Sequence, residues 1–185
     1  MLNMIVAYSK TGGIGLNNKI PWKLSSDLKR FKFLTIGKKN NSVIMGRKTW
    51  VSLKPRNKPL VNRTNIIISK TLIGETRNDI KIFKTIEDAI GFCNANNFDE
   101  NWVIGGSEIY KEYLKRNIVD NLYITELDLD CKCDAFFPNS SDYEIIKNGN
   151  LVYVPDDNIT LMRENDINFK YKILKMINSQ NTDCP

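Results

Sequence analysis

The sequence predicts an α/β fold, with a mainly parallel central sheet, helices on both faces and an antiparallel C-terminal edge. Three observations lead there. Apolar, β-branched runs alternate with stretches of helical periodicity between residues 4 and 127, the order produced by parallel strands joined through crossover helices. Several of these runs are continuously apolar, as in strands buried on both faces. Beyond residue 140 the chain carries strand-like segments joined through Gly149 and Pro155, which suits an antiparallel edge.

The elements follow in order. Strands are expected at 4–7, 43–45, 66–68, 80–83, 103–104 and 122–127. A first helix starts near Ser25 and Ser26, hydroxyl residues suited to capping it. On that helix Leu24, Asp27, Phe31 and Leu34 share one side at steps of three and four. A short helix begins at Lys48, a third runs from about 86 to 94 behind a Thr85/Asp88 capping box, and a fourth covers about 107 to 114. The edge is expected from strands at 143–147, 151–154 and 169–173. The reading is one domain over 1–177 and a short polar tail over 178–185.

Composition narrows the chemistry. With 42% apolar and 26% charged residues in 185, the chain is ordinary for a globular domain. No stretch approaches a membrane span, and the N-terminus reads as an opening strand with no targeting signal. A cytoplasmic location without membrane partners is expected. Cysteines fall at 93, 131, 133 and 184, and the pair at 131 and 133 is too tight for the usual zinc or redox spacing. Reduced thiols and no metal site follow. The chain has no histidine, so Ser/His and Cys/His nucleophile pairs are excluded and catalysis must rest on carboxylates or a cofactor. The net charge of +6 is scattered along the chain. A diffuse positive field attracts anionic small molecules, and nucleic acid is not expected as a partner.

Asp27 points toward the apolar side of its helix, where lost hydration disfavours its charged form. From that stretch alone it reads equally as a helix-start aspartate in water. Gly105-Gly106 follows a strand and opens a helix at Ser107, and Gly46-Arg47-Lys48-Thr49 repeats the arrangement with two fixed charges. Backbone amides at such turns approach phosphate closely, and two such cradles imply a dinucleotide. Ser69-Lys70 and Lys84 end two further strands. Arg63 precedes a strand in a loop rich in Pro, Asn and Lys, and its guanidinium can grip a carboxylate through two parallel hydrogen bonds.

Five segments taken together resemble dihydrofolate reductase: 15–31, 43–50, 60–69, 103–110 and 122–138. The likeness spans nearly the whole chain, leaving 151–165 and the tail after about 175 with little family signal. It implies reduction of 7,8-dihydrofolate to tetrahydrofolate with NADPH, in support of one-carbon metabolism and thymidylate synthesis. It also implies inhibition by antifolates such as methotrexate, and a monomer is expected. By resemblance Asp27 is the essential substrate-binding carboxylate, Thr125 its hydroxyl partner, Trp22 the neighbour of a held water, and Tyr110 the residue beside the nicotinamide. The carbonyls of Ile5 and Ile104 face the pterin edge, Leu28, Phe31, Leu53 and Leu60 wall the rings, and Arg63 takes the α-carboxylate of the glutamate tail.

The cofactor falls to Ala7, Ile14, Gly46, Arg47, Lys48, Thr49, Ser69, Lys70, Lys84, Gly105, Gly106 and Ser107. Among these, Arg47, Lys48, Ser69, Lys70 and Lys84 are candidates to hold a 2′-phosphate and select NADPH over NADH. Glu108 stands where bacterial-type reductases often have an arginine, which leaves more of that task to Lys70 and Lys84. Asp134 matches an aspartate that braces a mobile loop containing Gly15 and Leu16, with Gly12-Gly13 giving that loop its hinge freedom. Two rivals share some of these features. A reductase of a riboflavin precursor would not need Asp27, Phe31 and Arg63 together, and a basic nucleic-acid module would cluster its charge among exposed aromatics.

Overall fold

The computed structural model describes residues 1–72, 74, 77–138, 151–154 and 161–176. In chain order these residues form β1 (Leu2–Tyr8), β2 (Gly13–Gly15), α1 (Ser25–Ile36), β3 (Asn41–Gly46), α2 (Arg47–Ser52), β4 (Arg63–Ile68) and β5 (Ile80–Phe83). There follow α3 (Ile86–Ala95), β6 (Asn101–Gly105), α4 (Ser107–Lys115), β7 (Asn121–Asp128), β8 (Ala135–Phe136), β9 (Leu151–Val154), β10 (Met162–Glu164) and β11 (Ile167–Met176).

The main sheet runs β10-β11-β7-β1-β6-β3-β4-β5, with β9 also pairing β11. From β7 to β5 every neighbouring pair is parallel, whereas β11 is antiparallel to β7, β9 and β10. The expected parallel sheet with an antiparallel edge is therefore what forms. Its inner strands are buried on both faces: Val43, Ile44, Met45, Ile66, Ile67 and Val103 are each at most 1% exposed. Strand alternation divides these side chains into two cores. Met4, Val6, Ile44, Ile66, Val103 and Leu122 pack with Ala89, Cys93, Ile109 and Leu114 of α3 and α4. Ile5, Val43, Met45, Ile67 and Trp102 pack with Trp50 of α2 and with Phe31 and Leu34 of α1. α1 and α4 thus cover opposite faces of one sheet.

At α3 the N-cap half of the expected capping box forms, the Thr85 hydroxyl accepting from the Asp88 amide at 3.1 Å, while the Asp88 carboxylate accepts from the Thr85 hydroxyl at 2.6 Å. At α1 the outcome differs. Ser25 and Ser26 lie inside the first turn, Leu24 is the N-cap residue, and no side chain at the N-cap position bonds the helix. The orphan amides are met by Glu164 from β10, which accepts from Ser25 N at 2.6 Å and from Ser26 N at 3.0 Å. Two further elements were not expected. The small sheet of β2 and β8 is a backbone pairing around Gly13 and Gly15, which carries no side-chain periodicity, and β10 is only three residues long. The strand expected at 143–147, the joints at Gly149 and Pro155, and the tail from 178 lie outside the described residues. Among the described residues no helix is long and apolar enough to cross a membrane.

Candidate active site

Asp27 sits in the first turn of α1 and accepts a 2.5 Å hydrogen bond from the Thr125 hydroxyl on β7. Thr125 is buried beside Ala7 of β1 and Tyr171 of β11 in the strand register. Burial pushes the Asp27 carboxyl above the usual carboxylate range, while the Thr125 hydroxyl and the Arg30 guanidinium act in the opposite sense and Glu164 reinforces burial. Arg30, one turn along α1, lies 4.1 Å from the Tyr171 ring centroid. Trp22 packs with Leu24, Leu127 and Phe169 at the entry to α1.

The far end of α1 positions a cation. Thr35 donates to the Phe31 carbonyl at 2.7 Å and accepts from Arg63 Nη1 at 2.7 Å, while Arg63 Nε donates to the Val61 carbonyl at 3.1 Å. The guanidinium lies 5.8 Å from the Phe31 ring centroid. Arg63 is buried, with no carboxylate paired to it among the described residues. Burial lowers its pKa to about 10, which leaves it charged at neutral pH. A buried cation without an anion is costly, so a carboxylate or another anion arriving beside Arg63 would relieve that cost. Leu60 is buried, Phe31 and Leu53 are half-buried, and Leu28 is exposed on the same side of the sheet.

The expected cofactor residues gather at the carboxyl ends of β1, β3, β4, β5 and β6. Because β3 and β6 are neighbours, their two glycine turns abut: a Cβ on Gly106 would lie 3.3 Å from Thr49 Oγ1, and one on Gly46 would lie 3.0 Å from Ile109 Cγ1. Ser107 Oγ is buried at the start of α4 with no hydrogen-bond partner among the described residues, and is free to meet a ligand oxygen. Arg47 and Lys48 are exposed in the first turn of α2, and Lys70 and Lys84 are exposed just past β4 and β5. Ser69 already accepts from the amides of Thr71 and Leu72 at 3.2 and 2.8 Å, so only its hydroxyl proton remains to offer. These residues fit the phosphates of a dinucleotide.

Between the two halves, Tyr110 is fully buried and donates to the Ile5 carbonyl at 2.8 Å. Ile104 lies at a register shift between β6 and β3. Ile14, in β2, packs against the α3/α4 core. The loop before α1 is braced as the sequence suggested: Asp134 accepts from Asn17 N at 2.8 Å and its own amide donates to the Gly15 carbonyl at 2.9 Å. Gly12 has φ +79° and supplies the turn, but Gly13 serves close approach, since a Cβ there would collide with the Cys133 side chain. Sequence reading missed Thr35, Arg30 and Glu164. A buried threonine one turn after Phe31 was a usable signal for the first; nothing local points to Glu164.

Two glycine turns beside a half-buried carboxylate, with a buried cation beyond it that no carboxylate pairs among the described residues, make up the candidate site of an α/β enzyme. The chain belongs to the dihydrofolate reductase family, whose model matches residues 1–165. It is 31% identical over 185 residues to dihydrofolate reductase of Aedes albopictus, covering 95% of this chain and 97% of that protein. With dihydrofolate reductase of Schistosoma mansoni it shares 35% identity over 188 residues, covering 97% and 98% of the two chains. It is also 35% identical over 179 residues to the bifunctional dihydrofolate reductase-thymidylate synthase of Paramecium tetraurelia, of which it spans 35%.

Proposed function

We propose that the chain reduces 7,8-dihydrofolate to 5,6,7,8-tetrahydrofolate with NADPH, acting as a monomer and binding methotrexate at the same site. The observation that carries the substrate is the layout of α1. Asp27 marks one end of the ligand groove and Thr35, which orients Arg63, stands eight residues on. That separation is about 12 Å at the α-helical rise. A folate presents a protonatable ring at one end and a carboxylate at the other, with an aromatic segment between them to lie against Phe31. A flavin-precursor substrate offers no such tail to Arg63, and the family match does not favour it.

NADPH, when bound, supplies the hydride that the pterin receives at C6. The chain's own residues place the rings, exclude water and manage the proton. Asp27 binds the amino-pyrimidine edge of the pterin and stabilises its cationic, protonated form; by analogy with the family, the N5 proton comes through water. The loop held by Asp134 closes the site from bulk solvent. Oxidation of NADPH on addition of dihydrofolate, blocked by one equivalent of methotrexate per chain, tests the reading; no turnover with dihydrofolate refutes it.

Two variants separate the roles within it. Arg63→Lys is expected to weaken folate and methotrexate far more than antifolates lacking a glutamate tail, because a lysine cannot make the paired hydrogen bonds; equal weakening of both inhibitor classes assigns Arg63 to the fold alone. Arg47→Ala is expected to weaken NADPH by about 1.5–3 kcal/mol and to leave NADH nearly unchanged, as loss of a charged hydrogen bond to the 2′-phosphate requires. Parallel KM measurements with the two cofactors check it.

A further inference from the structure

The residue that completes α1 comes from the part of the chain with the least family signal. Both carboxylate oxygens of Glu164 are engaged at the helix start: Oε1 accepts from Ser25 N at 2.6 Å, and Oε2 accepts from Ser26 N at 3.0 Å and Ser26 Oγ at 2.5 Å. These bonds hold the Glu164 carboxyl well below its ordinary range, at about 2, so it is ionised at neutral pH. The next residue grips the same junction, with Asn165 Nδ2 donating to the Lys23 carbonyl at 2.8 Å. Glu164 belongs to β10, β10 pairs only with β11 among the described strands, and β11 pairs Tyr171 with Thr125 on β7. Asp27 is the next residue after Ser26. The helix start and the hydroxyl that Asp27 bonds are therefore tied to one sheet edge through two routes, Glu164 and Thr125.

We propose that Glu164 is a positioning residue for the reaction, holding the first turn of α1 against β10 so that the Asp27 carboxylate lands on Thr125 and faces the ligand. The proposal rests on the folate-reducing reading above. A carboxylate at a helix N-terminus also neutralises the positive end of the helix dipole, and the Glu164 charge itself opposes ionisation of Asp27. Both effects favour the protonated form of Asp27. The other groups facing Asp27 are Arg30 from α1, Thr125 from β7, Tyr171 from β11 and Tyr110 from α4. Arg30 favours the ionised form, and the two tyrosines are held neutral by burial.

Glu164→Gln keeps the shape and removes the charge, while Glu164→Asp keeps the charge on a shorter arm. The Asp27 carboxyl is followed by carbon NMR across pH in the ligand-free protein, alongside the pH profile of dihydrofolate turnover and urea unfolding. In Glu164→Gln, Asp27 should titrate at lower pH than in the parent, the acidic limb of the rate profile should move the same way, and kcat should fall with the KM for NADPH unchanged. Glu164→Asp should lie between parent and Gln. An unchanged Asp27 titration and rate profile in Glu164→Gln, or a shift in Glu164→Asp as large as that in Gln, overturns the proposal. A parent protein that fails to turn over dihydrofolate counts against the folate reading instead, and the NMR titration still decides what Glu164 does to Asp27.

Discussion

Replacing Asp27 with Asn is expected to lower dihydrofolate turnover by about 10²-fold or more while leaving the fold as stable as before, or more stable by on the order of 1 kcal/mol. The asparagine keeps an acceptor for the 2.5 Å bond from Thr125 but cannot pair with a protonated pterin. The stability effect has a definite pH dependence. Burial raises the folded pKa of Asp27 above its ordinary value of 3.8, so folding favours proton uptake. The stability contributed by the protonated carboxyl is complete below the unfolded pKa and is lost as pH rises through the folded one. The variant's advantage should therefore be present at neutral pH and vanish toward pH 4. Urea unfolding of both ligand-free proteins across that range reads it. Destabilisation of the variant by several kcal/mol at neutral pH would recast Asp27 as a structural cap, and retained turnover would remove it from the active site.

Gly105→Ala is expected to be strongly destabilising. Gly105 has φ +104°, a conformation that L side chains rarely adopt, and a Cβ there would lie 2.8 Å from Tyr110 Cζ and 2.9 Å from its hydroxyl oxygen. Tyr110 has nowhere to go, because its ring is packed edge-on to Phe137 and its hydroxyl is bonded to Ile5. Backbone strain and overpacking together predict a loss of about 2–6 kcal/mol. Gly91→Ala provides the contrast, since that glycine lies within α3 with nothing within 4 Å of its added Cβ. There the same methyl should stabilise by about 0.4–1 kcal/mol. Thermal unfolding of the two variants should give shifts of opposite sign, and a shared sign would refute the account of Gly105.

The contrast between legible and illegible parts of the sequence follows from the range of the interactions. Ile66-Ile67-Ile68 announces a strand because burial on both faces demands an unbroken apolar run. The Thr85/Asp88 cap is visible because both partners lie within one turn. Glycine turns after β3 and β6 are likewise local, so the two cradles could be placed before their adjacency was known. Ser25 and Ser26 misled because their residue type matches a cap, whereas the group that meets the helix amides lies 138 and 139 residues away. Arg63 could be singled out by type and loop context, but its orientation by Thr35 across 28 residues could not. The pairing of β2 with β8 escaped because it uses backbone groups that every sequence possesses.

The pairing of β7 with β11 along Asn121 to Asp128 has a consequence for biosynthesis. β7 is complete once residue 128 has been added, yet its antiparallel neighbour is finished only at residue 175, 47 residues later. At roughly 5–20 residues per second that interval lasts roughly 2–9 s. A nascent chain that has placed β7 beside β1 before β11 emerges would present the strand of Thr125 as its edge, with unpaired amides and carbonyls available to any other chain. The start of α1, although translated in the first 36 residues, also waits for Glu164 to arrive. Asp27 is thus among the first residues made and among the last to be seated, so ribosome stalling or truncation ahead of β11 is expected to yield a chain with β3 to β6 present, α1 unanchored and an adhesive edge exposed.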